Sequence, residues 1–195
     1  MIGCPADDTT NPRPSSTPPV AIIAPMKTKR FAYLILLAAV LGIRCADGEA
    51  PQPAIPYAAT PLDGILTGGQ PTPPQIEQAA VAGYRTVINL RTEGEEGFAW
   101  EPAAVEAAGM RYVLLPIGSD GLTRANVKLL DEALAAGLQE GPVLLHCASS
   151  NRVGALLALR AGWLHDASRE AALELGRAGG MTRLEPQVTE LLTRE

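Results

Sequence analysis

Between residues 62 and 195, apolar positions follow two spacings. Short runs rich in Ile, Leu and Val are bounded by Gly and Pro, and longer stretches between them repeat an apolar residue every three or four positions. Residues 65–67 form a first short strand, closed by the turn Gly68-Gly69-Gln70-Pro71. Thr72 is placed to cap a helix with Pro73 and Pro74 in its first turn, running through Ile76, Ala79 and Ala80 to Gly83. Residues 86–90 read as a buried strand, and an acidic loop at 92–97 leads into a helix at 100–108 stopped by Gly109. A third strand at 112–115 ends at Pro116. After a loop at 118–121, Thr123 is placed to cap a helix with Val127, Leu130, Leu134 and Leu138 on one face. Gly141-Pro142 breaks that helix before a strand at 143–145. A helix at 153–164 follows, apolar nearly all round and so expected in the middle of the domain; two more helices at 167–177 and 184–193 complete the chain.

Strands alternating with helices at this spacing predict an α/β domain: a central, mostly parallel sheet with helices on both faces. Thirteen of the 17 prolines lie at or before Pro74, so regular structure is expected in the C-terminal two thirds. Residues 1–25 are rich in Pro, Ser and Thr and read as an extension, either a mis-assigned start upstream of Met26 or a disordered tail. From Met26 a cationic stretch (Lys27, Lys29, Arg30) precedes an apolar run at 31–43, which matches a secretory signal over residues 26–50 and is short for a bilayer span. Cleavage after Ala50 would leave residues 51–61 as a linker and 62–195 as the domain. The expected location is periplasmic, with a lipid anchor on Cys45 as the variant reading, and no membrane span is expected in the mature chain. Among three cysteines, that leaves Cys147 as the lone thiol. The net charge of −5 gives no footprint for nucleic acid.

The chemistry is concentrated where the strand at 143–145 runs through His146, Cys147, Ala148, Ser149, Ser150, Asn151 and Arg152 into Val153 and Gly154. A helix N-terminus carries unpaired N–H groups and partial positive charge, and N–H groups curled about one point bind an anion. Arg152 adds a planar fork of donors suited to an oxyanion, and the same field favours thiolate at Cys147. Asn151 and the backbone amides of residues 148–153 would complete the cradle, with Ser149 and Ser150 as further hydroxyl donors.

At these residues the sequence resembles the bacterial protein-tyrosine/dual-specificity phosphatase-like family, the group related to the phosphatase-like domain of beta-lactamase-hydrolase-like proteins. The resemblance covers about residues 62–180, including segments 66–71, 87–91, 112–116 and 146–154. It implies a cysteine-phosphatase-like three-layer fold and a hydrolase acting on phosphomonoesters, phosphotyrosine among them, in a phosphorylated small molecule or phosphoprotein. It makes Cys147 the nucleophile forming a phosphocysteine, Arg152 the clamp on the phosphoryl oxygens and His146 the support behind the loop, without a metal or other cofactor. The loop departs from the tyrosine-phosphatase signature by counting Cys-x4-Arg rather than Cys-x5-Arg. Ser150 stands at a usual glycine, and Val153 replaces the usual Ser or Thr.

Cleaving a phosphate ester also needs a proton donor, and Asp120 in the loop at 118–121 is the candidate acid. Glu95, Glu96 and Glu101, on the earlier acidic loop, are backup candidates for the acid that read mainly as solvated charge. Gln70 and Arg91, at strand ends, are expected to border the site, and His165 to mark an interhelix turn. His146 and His165 have no metal-ligand spacing. The shorter loop keeps a rhodanese-like sulfurtransferase with a Cys147 persulfide as an alternative, and Ser150 and Val153 keep a non-catalytic phosphate-binding module.

Overall fold

The computed structural model describes residues 52–194. The extension, the signal segment and Cys45 lie outside the described residues. Five strands form one sheet: β1 (Ala59–Leu62), β2 (Ile65–Gly68), β3 (Thr86–Asn89), β4 (Arg111–Leu114) and β5 (Val143–His146), in the order β1-β2-β5-β3-β4. β2, β5, β3 and β4 run parallel, and β1 joins β2 as an antiparallel hairpin. The helices are α1 (Pro73–Val81), α2 (Glu101–Ala107), α3 (Arg124–Glu140), α4 (Asn151–Leu164), α5 (Arg169–Ala178) and α6 (Glu185–Thr193). This is the expected α/β architecture.

Side chains alternate across a strand, and that parity sorts the core into two layers. Ile65, Ile88, Val143 and Leu145 face α3, α4, Leu173 of α5 and Val188 of α6. Leu66, Val87 and Leu144 face the other way, onto Ile76 and Ala79 of α1 and Val105 of α2. The same parity carries Asn89 and His146, which are register partners in adjacent strands, to the α2 side. All strand residues of β2, β3 and β5 are buried, as expected of parallel strands covered on both faces.

Local signals account for most element ends. The Thr123 hydroxyl accepts from the Asn126 N–H at 3.3 Å and caps α3. The Thr72 N–H donates to the Gln75 side chain at 2.8 Å at the start of α1. Leu138, expected on the buried face of α3, is 40% exposed in the last turn of the helix, where its side chain lies against Gly64 of the β1–β2 turn. Residues 51–61, expected as a linker, are largely part of the domain. Ile55 is buried in the α1–α2 layer, Gln52 bonds Tyr84 at 2.6 Å, and β1 begins at Ala59. The apolar Ile55 outweighed the proline spacing that suggested a free segment.

α4 crosses α5 at a distance only glycine permits. A Cβ on Gly154 would lie 2.3 Å from the Gly176 carbonyl oxygen and 2.3 Å from the Met181 nitrogen, both backbone atoms. Gly154→Ala is therefore expected to destabilise the domain by about 1–3 kcal/mol through forced separation of the helices. The urea unfolding midpoint of the variant against the parent chain checks this, and an unchanged midpoint contradicts it.

Candidate active site

The carboxyl ends of the parallel strands share one edge, and the loops leaving them build the site. β5 ends at His146, and α4 begins at Asn151, earlier than the predicted 153, so four residues turn the chain from strand to helix. That turn requires a left-handed residue, and Ser150 supplies it with φ +62° and ψ −12°. The Gly154 N–H makes the first bond of α4, to the Ser150 carbonyl at 2.9 Å. The amides of residues 151–153 precede it and have no acceptor within the helix. Here the helix presents unpaired donors beside a cysteine.

Cys147 is 1% exposed. Its N–H reaches the Gly68 carbonyl at 3.3 Å, and its loop lies against the end of β2, where the Gln70 N–H donates to the Ala148 carbonyl at 3.2 Å. Gly69 has to be glycine there, since a Cβ would come 2.9 Å from the Ala148 carbonyl oxygen. This contact explains the Gly-Gly-Gln stretch after β2.

A cavity of about 340 Å³ opens over the loop, lined by Cys147, Ala148, Ser149, Asn151 and Arg152. Thr92, Glu95, Gly118, Ser119 and Arg183 complete its wall. Arg152 Nη1 and Nη2 each reach a Glu95 carboxylate oxygen at 2.7 Å, a two-point pairing. Nη1 also meets the carbonyls of Leu90 (3.3 Å) and Ile117 (3.2 Å). Its Nε–H and the second Nη2 hydrogen have no protein oxygen among the described residues. Burial alone would lower the Arg152 pKa, but Glu95 and the neighbouring Cys147 side chain outweigh it and push the pKa up. The guanidinium is thus fixed on one side and open on the other, alongside the sulfur.

For Glu95, burial raises the pKa. Hydrogen bonds from Arg152 and the Thr92 N–H, with the charges of Arg152 and Arg91, overcome this and lower it from 4.5 to about 2. Glu95 stays ionised throughout the neutral range. Arg91, expected to border the site, holds the same loop: Nε meets Glu95 at 3.3 Å, Nη2 the Glu96 carbonyl at 2.5 Å, and the guanidinium stacks 5.0 Å from the Phe98 ring.

His146, which precedes Cys147, is fully buried and is not among the residues lining the cavity. Its Nε2 lies 2.6 Å from Glu101 Oε1, off the axis of a well-directed hydrogen bond, and its Nδ1 is 3.3 Å from the Cys147 carbonyl. Glu101, expected as solvated charge, is instead 0% exposed. Its Oε2 accepts from Gln70 Nε2 at 3.0 Å and Asn89 Nδ2 at 2.9 Å, and Gln70 Oε1 in turn accepts from Arg91 at 2.6 Å. A chain of polar contacts therefore runs from His146 to Arg91 and Glu95. The charge pattern along the acidic stretch could not reveal this. Strand parity, which turns Asn89 and His146 toward α2, could have.

The remaining expectations divide. Ser149 and Ala148 line the cavity, but Ser150 is fully buried and its hydroxyl donates to the Gly179 carbonyl at 2.8 Å rather than into the site. Val153 is fully buried in the core. Asn151 borders the cavity, yet its Oδ1 accepts from the Thr182 N–H (2.8 Å), the Thr182 hydroxyl (3.1 Å) and the Leu184 N–H (3.4 Å). Asp120 is exposed one residue beyond the lining residues Gly118 and Ser119. His165 closes α4, 3.1 Å from Asp131. Arg183 is a site residue the sequence reading missed, because it lies outside every strand–loop signal.

Comparison with known proteins places the chain in a family. The family model for the beta-lactamase hydrolase-like protein, phosphatase-like domain, matches residues 64–162, just over half the chain. The chain belongs to this family. A beta-lactamase hydrolase-like protein of Xylella fastidiosa is 36% identical over 120 residues, covering 60% of this chain and 27% of the relative. The chain therefore spans about a quarter of the length of the curated relatives it matches. Among solved structures, a DUF442 protein from Shewanella putrefaciens superposes with a TM-score of 0.58 at 20% identity, covering 72% of this chain and 93% of that one. P. aeruginosa TpbA in complex with pTyr superposes at 0.52 and 21% identity, over 70% and 88% of the two chains. At these identities the likeness establishes the phosphatase-like fold. Among the described residues no three His, Cys, Asp or Glu are grouped to hold a metal, and no helix is long and apolar enough to cross a membrane.

Because Glu95 is ionised far below its unfolded pKa, its stabilising effect is complete above pH 4.5 and lost as pH falls toward 2. Its side chain is 26% exposed, so solvent screening limits the contribution to about 1–2 kcal/mol. Glu95→Gln is expected to lower stability by that amount at neutral pH, with the difference from the parent closing between pH 4.5 and 2. Denaturant unfolding across that range checks both the size and the sign.

Proposed function

We propose that this chain is a cysteine-dependent phosphatase of the tyrosine or dual-specificity type. The observation that carries this reading is the convergence of the Cys147 side chain, the open edge of the Arg152 guanidinium and the unpaired amides of the α4 N-terminus at one cavity. Those groups suit a phosphoryl group: three equatorial oxygens against N–H donors, with phosphorus in line with sulfur.

In the proposed reaction the Cys147 thiolate attacks phosphorus as the bond to the ester oxygen breaks. Asp120 gives its proton to the departing oxygen, releasing an alcohol or phenol. Water then gives a proton back to the Asp120 carboxylate as it attacks the cysteinyl-phosphate, the sulfur–phosphorus bond breaks, and inorganic phosphate leaves as the thiolate returns. Glu95 keeps Arg152 aimed throughout, and His146, backed by Glu101, supports the strand end that carries the sulfur. The family match and the pTyr complex of a structural neighbour support a phosphorylated substrate. The signal-like segment at 26–50 supports export of the domain.

The full chain is expected to release phosphate from p-nitrophenyl phosphate between about pH 5 and 8, the range that brackets thiolate and acid requirements. Cys147→Ser should abolish release, and Arg152→Ala should lower kcat about 10²–10³-fold by removing oxyanion donors. An intact chain that turns over no phosphate ester but moves sulfur from thiosulfate to cyanide would instead be a sulfurtransferase. Asp120→Asn should lower kcat on phenyl phosphate about 10²-fold and remove the fall in rate at alkaline pH. An unchanged pH profile rules Asp120 out as the acid.

A further inference from the structure

Between α5 and α6 the chain folds back over the start of α4, and Arg183 is carried in that segment. Its position is built by the phosphate loop itself. Asn151 Oδ1 takes hydrogen bonds from residues on both sides of Arg183, Thr182 and Leu184. Ser150 Oγ bonds the Gly179 carbonyl, and Gly180 packs so closely on Ser150 that a Cβ there would lie 2.6 Å from the serine Cβ. Two side chains of the loop that would otherwise face a phosphoryl group are thus spent on fixing the segment beside it.

Arg183 lines the same cavity as Cys147 and Arg152. It has no hydrogen-bond or ion-pair partner among the described residues. The nearest acidic residue along the chain, Glu185, is committed to Arg177, with three contacts of 2.6–3.1 Å. Glu95, the acidic group in the cavity wall, is committed to Arg152 and Arg91. The cavity therefore holds one guanidinium with a carboxylate and one without.

We propose that Arg183 is a specificity-determining residue: it binds a second anionic group, phosphate or carboxylate, on a substrate whose first phosphoryl group occupies the Cys147 loop. This deepens the phosphatase reading and rests on it. A lone guanidinium at the mouth of a site gains from an anion delivered to it by a ligand already anchored at one end, because the ordering of the ligand is largely complete.

The test uses the full-length Cys147→Ser chain and calorimetric binding of three probes of similar size: glucose 6-phosphate, 6-phosphogluconate and glucose 1,6-bisphosphate. One or both of the two-anion probes are expected to bind at least about fivefold tighter than glucose 6-phosphate, in the range of a well-placed ion pair. The gain should weaken with added salt. It should vanish in Cys147→Ser/Arg183→Gln and partly return with Arg183→Lys, with thermal midpoints unchanged for this exposed side chain. A gain for one probe alone identifies the second group as carboxylate or phosphate. Equal affinities for all three probes, or a gain that survives Arg183→Gln, overturn the assignment. If p-nitrophenyl phosphate is turned over by the intact chain in that case, the phosphatase reading stands and only the role of Arg183 falls. If no probe binds and no ester is cleaved, both fall.

Discussion

Everything at this site depends on how little chain separates the end of β5 from the start of α4. Four residues, 147–150, must reverse the backbone from extended to helical while the strand stays in register with β2 and β3. A turn that tight places the first N–H groups of the helix around the cysteine and forces one residue into left-handed geometry. The surrounding structure then works to keep it there. Gly69 lets β2 press on the loop from one side, and the Gly154–Gly176 crossing lets α5 close on it from the other.

Charge is distributed around that turn in two tiers. In front, Glu95 holds Arg152 by two oxygens and leaves the edge next to the sulfur open. In the proposed reaction a phosphoryl group arriving there would meet a guanidinium already oriented, so the ordering of a long side chain would not be part of the cost of binding. Behind, a fully buried Glu101 faces a fully buried His146, and Gln70 and Asn89 satisfy the other carboxylate oxygen. A buried polar cluster of this kind adds little net stability compared with apolar packing, but removing one partner leaves the others stranded. Its value is in fixing geometry: the same contacts tie β2, β3, α2 and the Arg91 loop to the residue preceding Cys147.

Most of the architecture was legible because it rests on short-range signals. Short runs of three to five residues, mostly apolar, marked β2 to β5, and Thr72 and Thr123 marked helix starts. The Cys147 to Arg152 loop was legible because strand, polar turn and apolar helix are adjacent in sequence. What the sequence hid is tertiary. Glu101 lies on an acidic stretch that looks solvated; strand parity turns Asn89 and His146 to one face, and the pairing of β3 with β5 is what brings them together beside it. Arg183 reaches the cavity because Asn151, 32 residues earlier, grips the backbone beside it. Ile55 was hidden by the prolines around it, since proline spacing reports chain stiffness and not burial.

Ser150 shows why a departure from an expected residue need not weaken a site. A glycine would adopt φ +62° without strain, whereas an L-residue there costs about 1–2 kcal/mol. The serine hydroxyl recovers about 0.5–1.5 kcal/mol through its bond to the Gly179 carbonyl. It also places a Cβ against Gly180 that a glycine would lack, so the 179–184 segment has a surface to close on. The residue that strains the loop therefore shares with Asn151 the docking of its neighbour. Strain in the turn and part of the hold on the second arginine are then consequences of a single side chain, and a glycine at 150 would relax the first only by loosening the second.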